Sequence, residues 1–139
     1  MPGENLRKTG NEMEDVAAEY LTKRGVRILE RNFRSREAEI DIIGKDGETL
    51  IFVEVKARRT GKKSGEASEA VGMAKQKRIC RCADYYMHEK GIDPFSTLVR
   101  FDVVAIMAGS DKSASSTRWI RNAFSYIPYG RVKPHWRVW

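Results

Sequence analysis

One stretch of the chain, AEIDIIGKDGETLIFVEVKA at residues 38–57, puts acids where a β-hairpin builds its interior. Glu39, Asp41 and Glu54, with Lys56 beside them, interrupt runs of Ile and Val that favour strand. Carboxylates gathered in this way are a natural seat for a hard divalent cation, because Mg2+ takes one or two carboxylates and keeps several waters. A lysine two residues further on can orient or deprotonate an attacking water, or neutralise charge on a phosphate.

Whether these side chains meet depends on the hairpin. Two β-rich runs, 38–44 and 49–57, flank Lys45-Asp46-Gly47-Glu48, and Asp-Gly between such runs is a strong turn signal. With Asp46-Gly47 as the turn, Asp41 faces Phe52 and Glu39 faces Glu54. Opposed residues share a face of the sheet, as do alternate residues of one strand. Glu39, Asp41, Glu54 and Lys56 then emerge together, with Asp41 and Glu54 as diagonal neighbours about 7–8 Å apart. Glu39 opposite Glu54 is a like-charge pair, which a cation between them would relieve. Ile40, Ile42, Ile51, Val53 and Val55 make the other face apolar, while Ile43, Leu50 and Phe52 bury the turn end of the acidic face. Two readings stand on the residues alone. One is a solvated face whose acids are satisfied by Lys56 and arginines; the other is a divalent-cation site. Strong strand formers around the acids weaken the first, since local consistency would not place carboxylates there, and the residues alone leave the two readings level.

Other elements must position this hairpin. Residues 1–9 read as a polar, flexible arm. Thr9 and Glu12 form a capping-box pattern that opens a helix, with Met13, Val16, Ala17, Tyr20 and Leu21 as its apolar stripe. Glu14 falls at the rim of that stripe and can reach the sheet, whereas Glu12, Asp15 and Glu19 read as helix-start and surface charges. A strand follows at 26–33. The segment 58–68, RRTGKKSGEAS, is basic and Gly-rich. A second helix spans 71–90, with Ile79, Cys82, Ala83 and Tyr86 on its buried face and Lys77, Arg78 and Arg81 opposite. Gln76 also falls on the buried side, as a satisfied amide or as a polar contact for a ligand. LVRFDVVAIM at 98–107 has the continuous apolar character of a central strand. A last strand covers 118–127, and the tail at 128–139 is basic and aromatic, with Trp136 and Trp139. The order α-β-β-β-α-β-β makes one α/β domain at 10–127, a mixed sheet flanked by helices.

Composition narrows the partners. Lys and Arg number 26 against 19 Asp and Glu in 139 residues, a formal charge of +7 that suits a polyanion, nucleic acid above all. No apolar run approaches the roughly 20 residues of a membrane span, and the N-terminal sequence lacks a signal core, which points to the cytoplasm. Cys80 and Cys82, two residues apart on a helix, point too far around it for a disulfide, and His88 and His135 complete no zinc set. Buried, reduced thiols are expected.

Asp41 followed by Glu54-Val55-Lys56 resembles the D…E-x-K pattern of the PD-(D/E)XK nuclease superfamily, on the strand pair where that superfamily carries it. GNEMEDVAAEYLTKRGVRILERNFR, AEIDIIGKDGETLIFVEVKARR, SEAVGMAKQKRI, RFDVVAI and NAF, in that order, resemble the YraN-type family of small bacterial proteins, itself similar in predicted fold to archaeal Holliday-junction resolvases. The likeness implies a restriction-endonuclease-like core. It implies Asp41 and Glu54 as metal ligands with the Val55 carbonyl as a third, and Lys56 as the catalytic lysine. Glu14 matches a helix-borne acid, and Glu39 the acid of an E-I-D strand. The family usually has Gly before that acid; here Ala38 follows Glu37.

Two functions follow. The first is a nuclease dependent on Mg2+ or Mn2+ that acts on DNA, branched or damaged DNA included, with Arg58, Arg59, Lys62 and Lys63 on the phosphate backbone and Gln76 near the nucleic acid. The resolvase analogy adds a homodimer. The alternative is a non-catalytic nucleic-acid-binding or adaptor protein on a nuclease scaffold, supported by the charge and by tryptophans that can stack on bases.

Overall fold

Apolar side chains on both faces of a five-stranded sheet, and one buried stripe on each of two helices, produce a three-layer arrangement. The computed structural model describes residues 2–59, 71–108 and 116–126. The elements are α1 (Pro2–Lys23), β1 (Val26–Arg34), β2 (Glu39–Asp46), β3 (Thr49–Arg59), α2 (Met73–Glu89), β4 (Val99–Ala108) and β5 (Ser116–Phe124). The strands lie in sequence order in one mixed sheet. Only β3 and β4 run parallel; the other neighbours are antiparallel. This is the expected α/β core of restriction-endonuclease-like layout. Among the described residues, no helix is long and apolar enough to cross a membrane.

Each helix covers one face. Ala17, Leu21 and Val26 pack with Ile42, Ile51, Val53, Val104 and Ile106 on the α1 side. Ile79, Cys82, Ala83 and Tyr86 of α2 pack with Ile43, Leu50, Phe52, Phe101 and Val103 on the other. Because β4 is covered on both faces, Phe101 through Ile106 are all buried, which explains their unbroken apolar run apart from Asp102. Cys80 and Cys82 form no disulfide, and both are buried as expected.

Three expectations are corrected. Helix α1 begins at Pro2 and runs through the Thr9-Glu12 pattern instead of starting there. Proline fits a first helical turn, where its fixed φ is preorganised and its missing N–H has no helical partner to lose. The hairpin turn is Gly47-Glu48, because Asp46 pairs with Thr49 and Ile43 with Phe52. Gly47 takes φ 61 at the first turn position, which suits a II′ turn. The register therefore moves by two residues: parity survives, and the paired residues from Ile42 to Asp46 keep their faces. Finally, Ile40 packs with Ile43 in the α2-side cluster and not with Ile42. The alternation of β2 slips once between Ile40 and Ile43, where the strand parts from β3. Closer to the turn, Gly44 permits β1 to lie close, since a Cβ there would stand 2.9 Å from the Arg27 carbonyl oxygen.

Candidate active site

The hydrogen-bonded pairing of β2 and β3 runs from the turn to Ile42 opposite Val53 and ends there. The next residues along the two strands are Asp41 and Glu54. In place of a main-chain carbonyl, the Asp41 carboxylate accepts the Val55 N–H at 2.8 Å. A side chain thus ends the ladder and opens a fork between the strands. In a strand, the N–H and C=O of one residue point to the same edge, so the Val55 carbonyl also faces the fork. The like-charge pair of the hairpin is therefore Asp41 with Glu54, not Glu39 with Glu54. The shifted register moves Glu39 toward the Lys56 end, and Arg34 stands 3.5 Å from its carboxylate.

The electrostatics of the fork are those of two neighbouring acids, only one of which meets a cation among the described residues. Burial pushes the Asp41 carboxyl up to about 8, and the neighbouring Glu54 adds to the shift. The Val55 N–H acts against it, and Glu14 adds a further push upward. Two carboxylates that share a dry site cannot both ionise cheaply. Glu54 is nearly buried, its side chain 11 % exposed, and its Oε2 makes no hydrogen bond. Lys75 Nζ stands 2.9 Å from that oxygen without the alignment of a hydrogen bond.

Glu14 reaches the site from the α1 side, in keeping with its place on the helix rim. Its Oε1 is buried without a hydrogen bond, 3.8 Å from the Arg31 guanidinium. Arg31 makes its closer ion pair, 2.8 Å, with the exposed Asp15. Lys56 follows Glu54 by two residues on β3, in register with Ala105. Glu39, Asp41 and Glu54 line one narrow cleft with Ile40, Phe52 and Ile79.

Among the described residues, no three His, Cys, Asp or Glu side chains close up into a ready metal cage. The donor set nonetheless fits a hard cation that keeps much of its water: Asp41, Glu54 and a backbone carbonyl are all oxygen donors. The raised Asp41 carboxyl, beside a Glu54 oxygen that has an ion pair but no hydrogen bond, is what a cation in the fork would relieve.

The remaining expected residues separate. Gln76 donates its amide to the Val71 carbonyl at 2.7 Å, and so anchors the entry to α2. Arg58 and Arg59 end β3, and Lys62 and Lys63 lie outside the described residues, as does the tail with Trp136 and Trp139. Sequence reasoning missed Lys75, one of several cations near the start of α2 with nothing in its spacing to mark it. It also missed Asp102, 1 % exposed in the middle of β4. An acid inside an otherwise apolar strand run was the available signal. Asp102 accepts Arg100 Nε at 2.8 Å and Arg100 Nη2 at 2.9 Å. Trp119 Nε1 and the Asn122 N–H reach it as well, each at 2.9 Å.

A family profile described as "Uncharacterised protein family UPF0102" matches residues 13–106. A UPF0102 protein of Symbiobacterium thermophilum is 47% identical over 118 residues, covering 85% of this chain and 97% of its own. One from Syntrophus aciditrophicus is 44% identical over 128 residues, covering 92% and 95%. One from Colwellia psychrerythraea is 42% identical over 115 residues, covering 83% and 87%.

Proposed function

Because the chain belongs to the uncharacterised protein family UPF0102, whose name states no activity, we propose a function from the fork itself: a metal-dependent phosphodiester hydrolase acting on DNA. The observation that supports this most is the apposition of Asp41 and Glu54 at the end of a strand pair, with Asp41 held on the Val55 N–H. Proteins do not ordinarily bury facing carboxylates without a cation or a shared proton.

In this reading Asp41, Glu54 and the Val55 carbonyl hold Mg2+ or Mn2+, which when bound supplies a Lewis acid for the phosphate and lowers the pKa of water. Lys56, projecting to the same side as Glu54, brings positive charge to the phosphate that gains negative charge during attack, or holds the attacking water. Glu14, steadied by Arg31, borders the fork from the helix side and orders water there. Arg58, Arg59, Lys62 and Lys63 meet the phosphate backbone, where contacts position the duplex without reading sequence. The net charge of +7 supports a polyanionic substrate. Branched or damaged DNA is the substrate class that the resolvase likeness favours.

The test is a cleavage panel of linear, nicked, flapped and four-way DNA with Mg2+, Mn2+ or chelator. Lys56→Ala and Glu54→Gln serve as controls. Metal-dependent cleavage of any member, lost in both variants, supports the reading. Salt-sensitive binding of the panel with no cleavage in either metal would favour the non-catalytic DNA-binding protein instead.

A further inference from the structure

Lys75 is the cation that the fork already has. It sits in the first turn of α2, on the opposite side of the sheet from Glu14, and its Nζ stands 2.9 Å from Glu54 Oε2. The two partners differ in exposure: the Glu54 side chain is 11 % exposed, the Lys75 side chain 44 %. A nearly buried carboxylate is thus paired with a lysine that is partly open to solvent. The oxygen facing that ammonium makes no hydrogen bond. The pair is therefore held by charge more than by aligned donors, and a flexible four-carbon stem can carry the ammonium away at little steric cost. The structural alternative, in which Lys75 locks the Glu54 rotamer, would more naturally use an aligned hydrogen bond.

Building on the divalent-cation reading of Asp41 and Glu54, we propose that Lys75 is a displaceable internal counter-ion, which neutralises Glu54 in the metal-free protein and competes with Mg2+ or Mn2+ for that carboxylate. Like charges a few ångströms apart repel strongly in a poorly solvated cleft. A metal ion entering the fork must therefore displace the ammonium or bind against it. The arrangement keeps an acid-rich fork stable without metal and sets its metal affinity below what the carboxylates alone would give. Lys75 acts here as a positioning residue, through Glu54.

The experiment is Mn2+ binding to the full chain, with free Mn2+ counted by electron paramagnetic resonance. It compares the parent, Lys75→Met, Lys75→Gln, Lys75→Arg and Asp41→Asn, each checked for folding by circular dichroism. Removal of a unit charge at this distance should tighten Mn2+ binding by on the order of tenfold in Lys75→Met and Lys75→Gln. Lys75→Arg keeps the charge and should stay near the parent. Equal or weaker binding in both neutral variants, with binding still abolished in Asp41→Asn, overturns the counter-ion role and leaves the metal site standing. Absence of Mn2+ binding in the parent and in both neutral variants removes the metal reading, and the role of Lys75 with it.

Discussion

Two of the acids in the sheet, Asp102 and Asp41, are treated in opposite ways. Asp102 on β4 is fully enclosed, and each of its oxygens has donors: Arg100 twice, Trp119 and the Asn122 amide. Asp41 on β2 has one N–H donor, from Val55, and faces Glu54 with Glu14 nearby. The first arrangement is a finished structural joint. The pairing of β4 and β5 changes register between Phe101 and Val103, and Asn122 takes φ 55 there. Asp102 accepts the main-chain N–H that this irregularity frees, while Arg100 ties it to Asp46 at the hairpin end, 2.8 Å away. Burial alone therefore does not mark a functional acid. What separates the two is the sign of the neighbours: donors and cations around Asp102, further carboxylates around Asp41.

That contrast breaks most visibly on mutation. Asp102→Ala leaves the Arg100 guanidinium with Asp46 as its remaining acid and strands an indole N–H and a backbone N–H, and should cost about 3–5 kcal/mol in urea unfolding. Metal should have no bearing on that loss. A cost below about 1 kcal/mol would show that the joint is dispensable.

At the fork, the expected effect depends on the ion. Saturating Mn2+ should raise the stability of the parent by about 2.7 kcal/mol at a hundredfold excess over Kd. Asp41→Asn should lose that gain, yet in chelator be at least as stable as the parent, because a repulsion is relieved. Thermal melts with metal and with chelator separate the cases. Destabilisation of Asp41→Asn in chelator, with no metal response in the parent, would make Asp41 a structural acid like Asp102.

A smaller effect appears on changing pH without metal. The Asp41 carboxyl holds its proton up to about 8, whereas the unfolded chain releases it near 3.8, the ordinary value for an aspartate. Between these values the folded state binds the extra proton, so stability is greatest at the acid end and falls as pH rises. A tenfold difference in proton affinity between the folded and unfolded chains corresponds to about 1.4 kcal/mol. From roughly pH 5 to roughly pH 7, the parent in chelator should therefore lose at least about 1 kcal/mol relative to Asp41→Asn. Parallel pH profiles for the two proteins would show that neither burial nor Glu54 raises the Asp41 carboxyl.

The sequence carried the face of these acids better than their partners. Strand alternation put Asp41, Glu54 and Lys56 on one face; Asp41 and Glu54 do meet in one cleft, because a shift of two residues preserves the parity of the pairing. It misplaced the turn, since both Asp46-Gly47 and Gly47-Glu48 offer a glycine for the positive φ, and propensity does not choose between them. Glu14 was legible from the helical wheel. Lys75 was not, because its meeting with Glu54 depends on how α2 crosses the sheet, a tertiary fact without a local pattern. The donors around Asp102 come from two strands and a register change, which single-strand periodicity does not encode.

The smallest expected effect concerns Glu39, which the register separates from Glu54. Its carboxylate is about one-third exposed, at 35 %, and the Arg34 guanidinium 3.5 Å away is 77 % exposed. Exposed ion pairs of this kind contribute within about 0.5 kcal/mol, because solvent screens the attraction and ordering two long side chains opposes it. Glu39→Gln should therefore change stability in chelator by no more than about that amount. Its bearing on the fork is the sharper question. Glu39 lines the same cleft as Asp41 and Glu54, so a formal charge is lost nearby even if no ligand is. Loss of a through-space charge should weaken Mn2+ binding by only a few-fold, since solvent enters between the groups. Loss of a direct ligand, as in Glu54→Gln, should abolish it. Titrations of both variants at low and at high salt distinguish the two. A Glu39→Gln deficit that shrinks with added salt marks a bystander charge. A deficit as large as that of Glu54→Gln, and unaffected by salt, would return Glu39 to the ligand set and require β2 to swing toward β3 when the metal binds.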